Sequence, residues 1–232
     1  MNTVERKISL LGNPLIKFQD AKKIEYLQKG TIYMKSLEYY RNKEKEKGDD
    51  TVGDLFEGMF HVNDGYAIIP EMGICEKLSD DLIKTSFSDS FVFCMFSTLP
   101  EIKSFQYSQE QKEKMASFGD TALIITNRDE FIRRVSIAVL RDKLTGCHGF
   151  VRYADEKVDS AEYWISLLKN GMSYSAFWKR KRYAYQQEYR FLIEPPVTEK
   201  DYYELRIGNI EDISVVIPTE QALNGLITAH DE

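Results

Sequence analysis

Three cysteines in 232 residues are too few and the wrong number for a disulfide framework. Cys75, Cys94 and Cys147 make no C-x-x-C pair, which excludes the usual structural zinc spacing and favours a reducing, cytoplasmic setting. Histidine is as scarce. His61, His148 and His230 lie far apart with no ligand spacing between any two, so no metal is expected. The chain lacks G-x-G-x-x-G, a Walker A loop, H-E-x-x-H and G-x-S-x-G, which removes the readily recognised nucleotide, metalloprotease and hydrolase classes. Residues 1–7 have no apolar core of the signal-peptide kind. The longest uncharged apolar run, Ser90 to Pro100, is too short to cross a bilayer, so no membrane association is expected. No repeat and no Pro/Gly/Ser-rich linker interrupts the chain, and residues 1–232 read as one domain.

Hydrophobic residues make up 43% of the sequence, enough for an ordinary core. A net charge of −6 argues against a generic nucleic-acid coat, although Lys179, Arg180, Lys181 and Arg182 form a local basic cluster. Residues 41–54, RNKEKEKGDDTVGD, are dense in charge and end in glycine and aspartate, the composition of an exposed loop.

Ala21 to Lys29 reads as a helix closed by Gly30, followed by a strand at Thr31–Lys35 and a helical turn from Ser36 to Tyr40. The apolar runs Phe91–Phe96 and Thr121–Thr126 read as buried strands. Asn127 with Glu130 reads as a capping box opening a helix over Arg128–Leu140. A strand is expected at His148–Tyr153 and a helix at Ser160–Lys169. Further strands are expected at Tyr183–Ile193, Tyr202–Ile207 and Ile213–Ile217, and a last helix after Pro218-Thr219. Helices and strands interspersed this irregularly predict an α+β fold, with a mixed, largely antiparallel sheet flanked by short helices.

The stretch from Phe177 to Ile193 carries the densest chemistry. In a strand, Gln186, Glu188 and Arg190 would share one face while Tyr185, Gln187, Tyr189, Phe191 and Ile193 share the other. When the nicotinamide–ribose bond of NAD breaks, positive charge develops on the sugar, and a carboxylate bonding the 2-hydroxyl stabilises it. Glu188 is the candidate for that role and Gln186 for orienting the acceptor, as in the Q/E-x-E motif of ADP-ribosyltransferases. The plain alternative makes the same three residues the solvent side of an amphipathic strand. Beside them, Trp178 and Lys179 to Arg182 combine rings and cations that could meet a protein or nucleic-acid partner.

Several segments together resemble a widespread bacterial domain of unknown function, often encoded near phage-defence and mobile-element genes. Leu15-Ile16-Lys17-Phe18 resembles its early hydrophobic-Lys-aromatic element, Leu27 to Gly30 its leucine-glycine turn, and Ile32-Tyr33-Met34-Lys35-Ser36-Leu37 its next strand. Gly53-Asp54-Leu55-Phe56-Glu57-Gly58 is similar to its F-N-D-P-x-E-G loop, with Gly53 in place of Asn. Cys94-Met95-Phe96-Ser97 resembles its C-F-S strand, and Val151-Arg152-Tyr153 its valine-tyrosine element. Lys181, Tyr185 and Gln186 to Arg190 resemble its final Lys, aromatic, E-x-E-x-R signature, with Gln186 replacing the first acid and Tyr185 a common Trp. No Arg or His stands at the first position of a transferase triad, where Lys17 is the nearest positional candidate.

Two function classes follow. The first is a phage- or mobile-element-related defence or counter-defence protein, an NAD-dependent, ADP-ribosyltransferase-like toxin or effector. Glu188 and Gln186 would be catalytic, and Lys17, Ser97, Thr98, Tyr185 and Arg190 would bind the cofactor. The second is a non-enzymatic binding module working through Trp178 and Lys179 to Arg182. A metal-dependent nuclease built on Asp54, Glu57 and Glu188 ranks behind both.

Overall fold

The computed structural model describes residues 7–11, 13–47, 53–54, 57–58, 66–69, 73–77, 90–102, 104–155, 165–166, 169–194 and 200–230. In chain order the elements are β1 (Lys7–Leu11), β2 (Leu15–Gln19), α1 (Ala21–Gln28), β3 (Thr31–Ser36), α2 (Leu37–Lys47), β4 (Tyr66–Ile69) and β5 (Ile74–Lys77). There follow β6 (Phe91–Phe96), β7 (Ser104–Phe105), α3 (Gln109–Met115), β8 (Thr121–Ile125), α4 (Arg128–Arg141), β9 (Thr145–Phe150) and β10 (Arg152–Ala154). The chain ends with β11 (Trp178–Arg180), β12 (Glu188–Glu194), β13 (Tyr202–Arg206), β14 (Ser214–Pro218), α5 (Thr219–Asn224) and β15 (Leu226–His230). The protein is α+β, and its sheets are mostly antiparallel.

The chain folds as two compact units, one of residues 1–36, 91–150 and 185–232, the other of residues 37–90 and 151–184. The first holds an eight-stranded sheet in which β6 has three neighbours. β12 runs antiparallel along one edge of β6 from Glu188↔Phe96 to Ile193↔Phe91. The other edge is shared, since β3 pairs at Phe91 and Val92 while β2 pairs at Phe96. The sheet therefore forks, with β3 leading to β13 and β2 to β8 and β14.

Side chains of this sheet alternate between two cores. Leu15, Phe93, Met95, Tyr189, Phe191 and Ile193 pack with Ile24 and Leu27 of α1 and with Phe131, Val135 and Ala138 of α4. Ile16, Phe18, Phe96, Ala122 and Ile124 pack on the opposite side with Tyr107, Met115 and α5. The start of α4 and the end of α1 have local causes. Asn127 Oδ1 accepts the Glu130 N–H at 3.0 Å, but the Glu130 carboxylate turns to Arg133 and Arg134, so only half of the expected capping box forms. α1 gives way to Gly30 at φ +96, where an added Cβ would sit 1.9 Å from the Gly208 carbonyl oxygen.

In the second unit β4 pairs antiparallel with β5, and β10 pairs parallel with β11. Residues 41–47, expected in an exposed loop, continue helix α2, and Asp54 at the end of that segment is 1% exposed. Charge density alone had argued for solvent, but α2 and the segment after it turn Glu44, Asp54 and Glu57 toward cations of β11. Of the expected helix at Ser160–Lys169, residues 165–166 and 169 are helical and the others lie outside the described residues.

Candidate functional site

The expected strand from Tyr183 begins only at Glu188. Lys181–Gln186 is a 3-10 turn, and Gln187 takes φ +41, a left-handed conformation that breaks the two-residue alternation. Gln186 and Glu188 are thus not successive members of one strand face. Gln186 is buried, and its Nε2 donates to Tyr185 Oη at 3.2 Å. Glu188 and Arg190 do alternate as expected, but they are not a solvent face either: they are 7% and 1% exposed. Arg190 Nε donates to Glu188 Oε2 at 2.7 Å. A charge-assisted bond inside a low-dielectric interior is stronger than the same bond in water and fixes the orientation of the carboxylate.

Around this pair lie the start of β12 and the end of β6. Phe96 and Cys94 stand opposite Glu188 and Arg190 in register. The Ser97 amide bonds the Gln187 carbonyl at 2.8 Å and so holds the left-handed residue in place. Thr98 Oγ1 accepts from Asn13 Nδ2, which also donates to the Leu99 carbonyl. Gln187 Oε1 is buried without a hydrogen-bond partner. Tyr185, whose ring lies 4.4 Å from Lys114 Nζ, receives the Gln111 amide on its carbonyl. Asn13 and Gln187 carry this constellation with Ser97 and Thr98, yet no sequence pattern singled out either.

Lys17 belongs to the fork. On the shared edge of β6 the register pairs stop at Val92 and resume at Phe96, and in that gap the Cys94 carbonyl takes a hydrogen bond from a side chain. Lys17 Nζ supplies the bond at 2.8 Å and lies 4.8 Å from the Phe93 ring. A hydrogen bond from a charged donor is worth roughly 1.5–3 kcal/mol, a structural role for the lysine that needs no ligand. Burial pushes the Lys17 ammonium below its ordinary pKa, while the Cys94 thiol and the Glu188 carboxylate pull it back up. By strand parity Lys17 falls on the Phe93 side of the sheet and Glu188 on the Phe96 side.

The basic cluster belongs to the second unit. Arg180 bonds Asp54 Oδ1 through Nε at 3.0 Å and through Nη2 at 2.5 Å, and Nη2 also reaches Glu44 at 2.9 Å. Arg182 bonds Glu44 Oε1 and the Tyr183 hydroxyl, and that hydroxyl donates to the Gly53 carbonyl. Lys179 Nζ lies 3.8 Å from Glu57 Oε2 and 4.5 Å from the Tyr183 ring. Lys179 and Trp178 are each 7% exposed, whereas Lys181 and Arg182 are exposed. Asp54 and Glu57, offered above as nuclease carboxylates, are each paired with a cation of this cluster. Among the described residues no three His, Cys, Asp or Glu side chains come together as a metal set, and no helix is long and apolar enough to cross a membrane.

The chain gives no match to a protein-family model, to a curated protein or to a solved structure.

Proposed function

We propose that the first unit acts on NAD as an ADP-ribosyltransferase-like effector, in a phage- or mobile-element-related defence or counter-defence setting. Glu188 is the carboxylate that stabilises the ribosyl cation. The support is a single juxtaposition: a buried carboxylate oriented by Arg190 directly follows Gln187, whose buried amide oxygen lacks a donor. Such an orphan acceptor is a place for a ligand N–H, and the nicotinamide carboxamide carries one. In the reaction the C–N bond breaks with both electrons going to the nicotinamide nitrogen. The acceptor's lone pair then forms the new bond at the ribose carbon, and its proton passes to solvent. Gln186 would orient the acceptor, and Ser97, Thr98 and Tyr185 would shape the pocket.

The binding-module reading has less behind it, because Lys179 and Arg180 would have to leave Glu57 and Asp54 to meet a partner. The test is nicotinamide release from NAD by the purified protein. Glu188→Gln, an isostere that still accepts from Arg190, is expected to lower turnover about a hundredfold or more. Gln187→Leu is expected to raise KM with a smaller change in kcat. Release that is equal in wild type and Glu188→Gln, or absent from both folded proteins, overturns the proposal.

A further inference from the structure

The opposite face of the β9–β12 ladder holds a second site, which does not depend on Glu188. Gly146, His148 and Phe150 of β9 stand in register with Ile193, Phe191 and Tyr189 of β12, and α4 packs over them. Between helix and ladder is a cleft of about 210 Å³. Its floor includes Ile32 and Met34, both 0% exposed, while Leu140 and His148 at its mouth are exposed. Gly146 keeps the apolar end open. A Cβ there would lie 2.9 Å from the Leu192 carbonyl oxygen and 3.4 Å from Val139.

Beyond the His148 end of the cleft lie further polar groups. His148 Nδ1 lies 2.5 Å from Tyr189 Oη, and the Arg128 guanidinium carbon lies 4.9 Å from the Tyr189 ring centroid and 5.6 Å from that of Phe150. Burial raises the Tyr189 pKa, and the nearby Arg128 guanidinium opposes it. With Nδ1 engaged by the Tyr189 hydroxyl, Nε2 is the ring nitrogen left to meet a ligand. Burial and then the Arg128 charge hold the His148 pKa below its ordinary value. The positive end of the α4 dipole lies here too. The acid on this side is Asp129, beside Arg128, whose charge reaches Tyr189; Glu194 acts on Cys147, and by strand alternation both belong to the other face of the ladder.

We propose that this cleft binds a small, ring-bearing carboxylate, with the ring against Phe191 and Val139 and the carboxylate at His148 on the Arg128 side. An apolar cavity of about 150 Å³ accepts a benzene ring, so the volume fits one ring with its substituent. Electrostatics sets the orientation. A carboxylate on the His148 side gains from Arg128 and the N-terminal end of α4, against the opposing charge of Asp129.

Benzoate is the probe and benzamide its neutral control, read by NMR on the folded chain. Benzoate is expected to bind saturably with a Kd of about 1 mM or below. It should raise the His148 pKa and bind about fivefold or more tightly than benzamide. Ser136→Phe, which plugs the mouth from the exposed side of α4, should remove binding of both. His148→Phe, which keeps ring volume but removes the donor, should remove the preference for benzoate. No saturable shift at about 10 mM benzoate, or binding that survives Ser136→Phe, overturns the site. Equal affinity for benzamide overturns the carboxylate.

Discussion

Residues 178–190 supply cations to two ion-pair clusters of opposite design. In the first unit Arg190 meets Glu188 two residues away on the same strand, and the guanidinium is 1% exposed. In the second, Arg180 meets Asp54 at a sequence separation of 126 and Glu44 at 136. There the side-chain exposure is graded, from 1% for Asp54 through 18% for Arg180 to 46% for Arg182. A long-range network closes a loop of chain and lets its outer charges reach water, so it works as a clamp. The Glu188–Arg190 bond itself spans two residues of one strand and closes no long loop. Burying both charges there is costly, and such groups concentrate at functional sites.

The largest effect separating the two designs is expected from Arg190→Leu. It leaves the Glu188 carboxylate buried without its cation and should cost about 3–5 kcal/mol in denaturant unfolding. The double variant Glu188→Leu with Arg190→Leu should recover most of that loss, because a buried pair exchanged for apolar side chains is often near neutral. A double variant no more stable than Arg190→Leu would make the pair a clamp like the other one.

Asp54→Asn tests the second cluster and should be milder. Arg180 keeps Glu44 and can turn its remaining donors toward water, so the loss should be about 1.5–3 kcal/mol, the range for a hydrogen bond to a charged group. A loss equal to that of Arg190→Leu would remove the contrast.

The same two clusters mark how far the sequence could be read. The apolar run Phe91–Phe96 is strand β6 over its expected length, and the Asn127 signal places α4 within one residue of its observed end, because each depends on neighbours in the chain. Ser108 and Gln111 form a full capping box on α3, a signal as local as that of Asn127. The left-handed φ of Gln187 left no such mark, since glutamine seldom adopts it, and it separated Gln186 from the strand of Glu188. The partners of Lys179 and Arg180 lie more than 120 residues upstream, beyond the reach of local pattern. They turn a stretch that reads as an open basic patch into the inside of a network. Asp54 and Glu57 did stand out within a motif, but as acids of unspecified role.

The smallest expected effect concerns Tyr183, which links Arg182 to the Gly53 carbonyl. Its hydroxyl is pushed up to about 12, first by burial and then by the charge of Asp54, against the pull of Arg182 and Arg180. A folded-state pKa above the unfolded value near 10 means that the native state holds this proton more tightly. The contribution is therefore complete below pH 10 and disappears as the pH rises toward 12. Tyr183→Phe keeps the ring under Lys179 and loses only the hydroxyl, so at neutral pH the cost should be about 1 kcal/mol. Unfolding compared at pH 7, 10 and 11 should show the gap between wild type and variant narrowing over the last step. A gap that stays constant with pH would mean the hydroxyl is no more buried than Arg182 at the rim, and the graded burial that distinguishes the clamp from the Glu188–Arg190 pair would then start further inside.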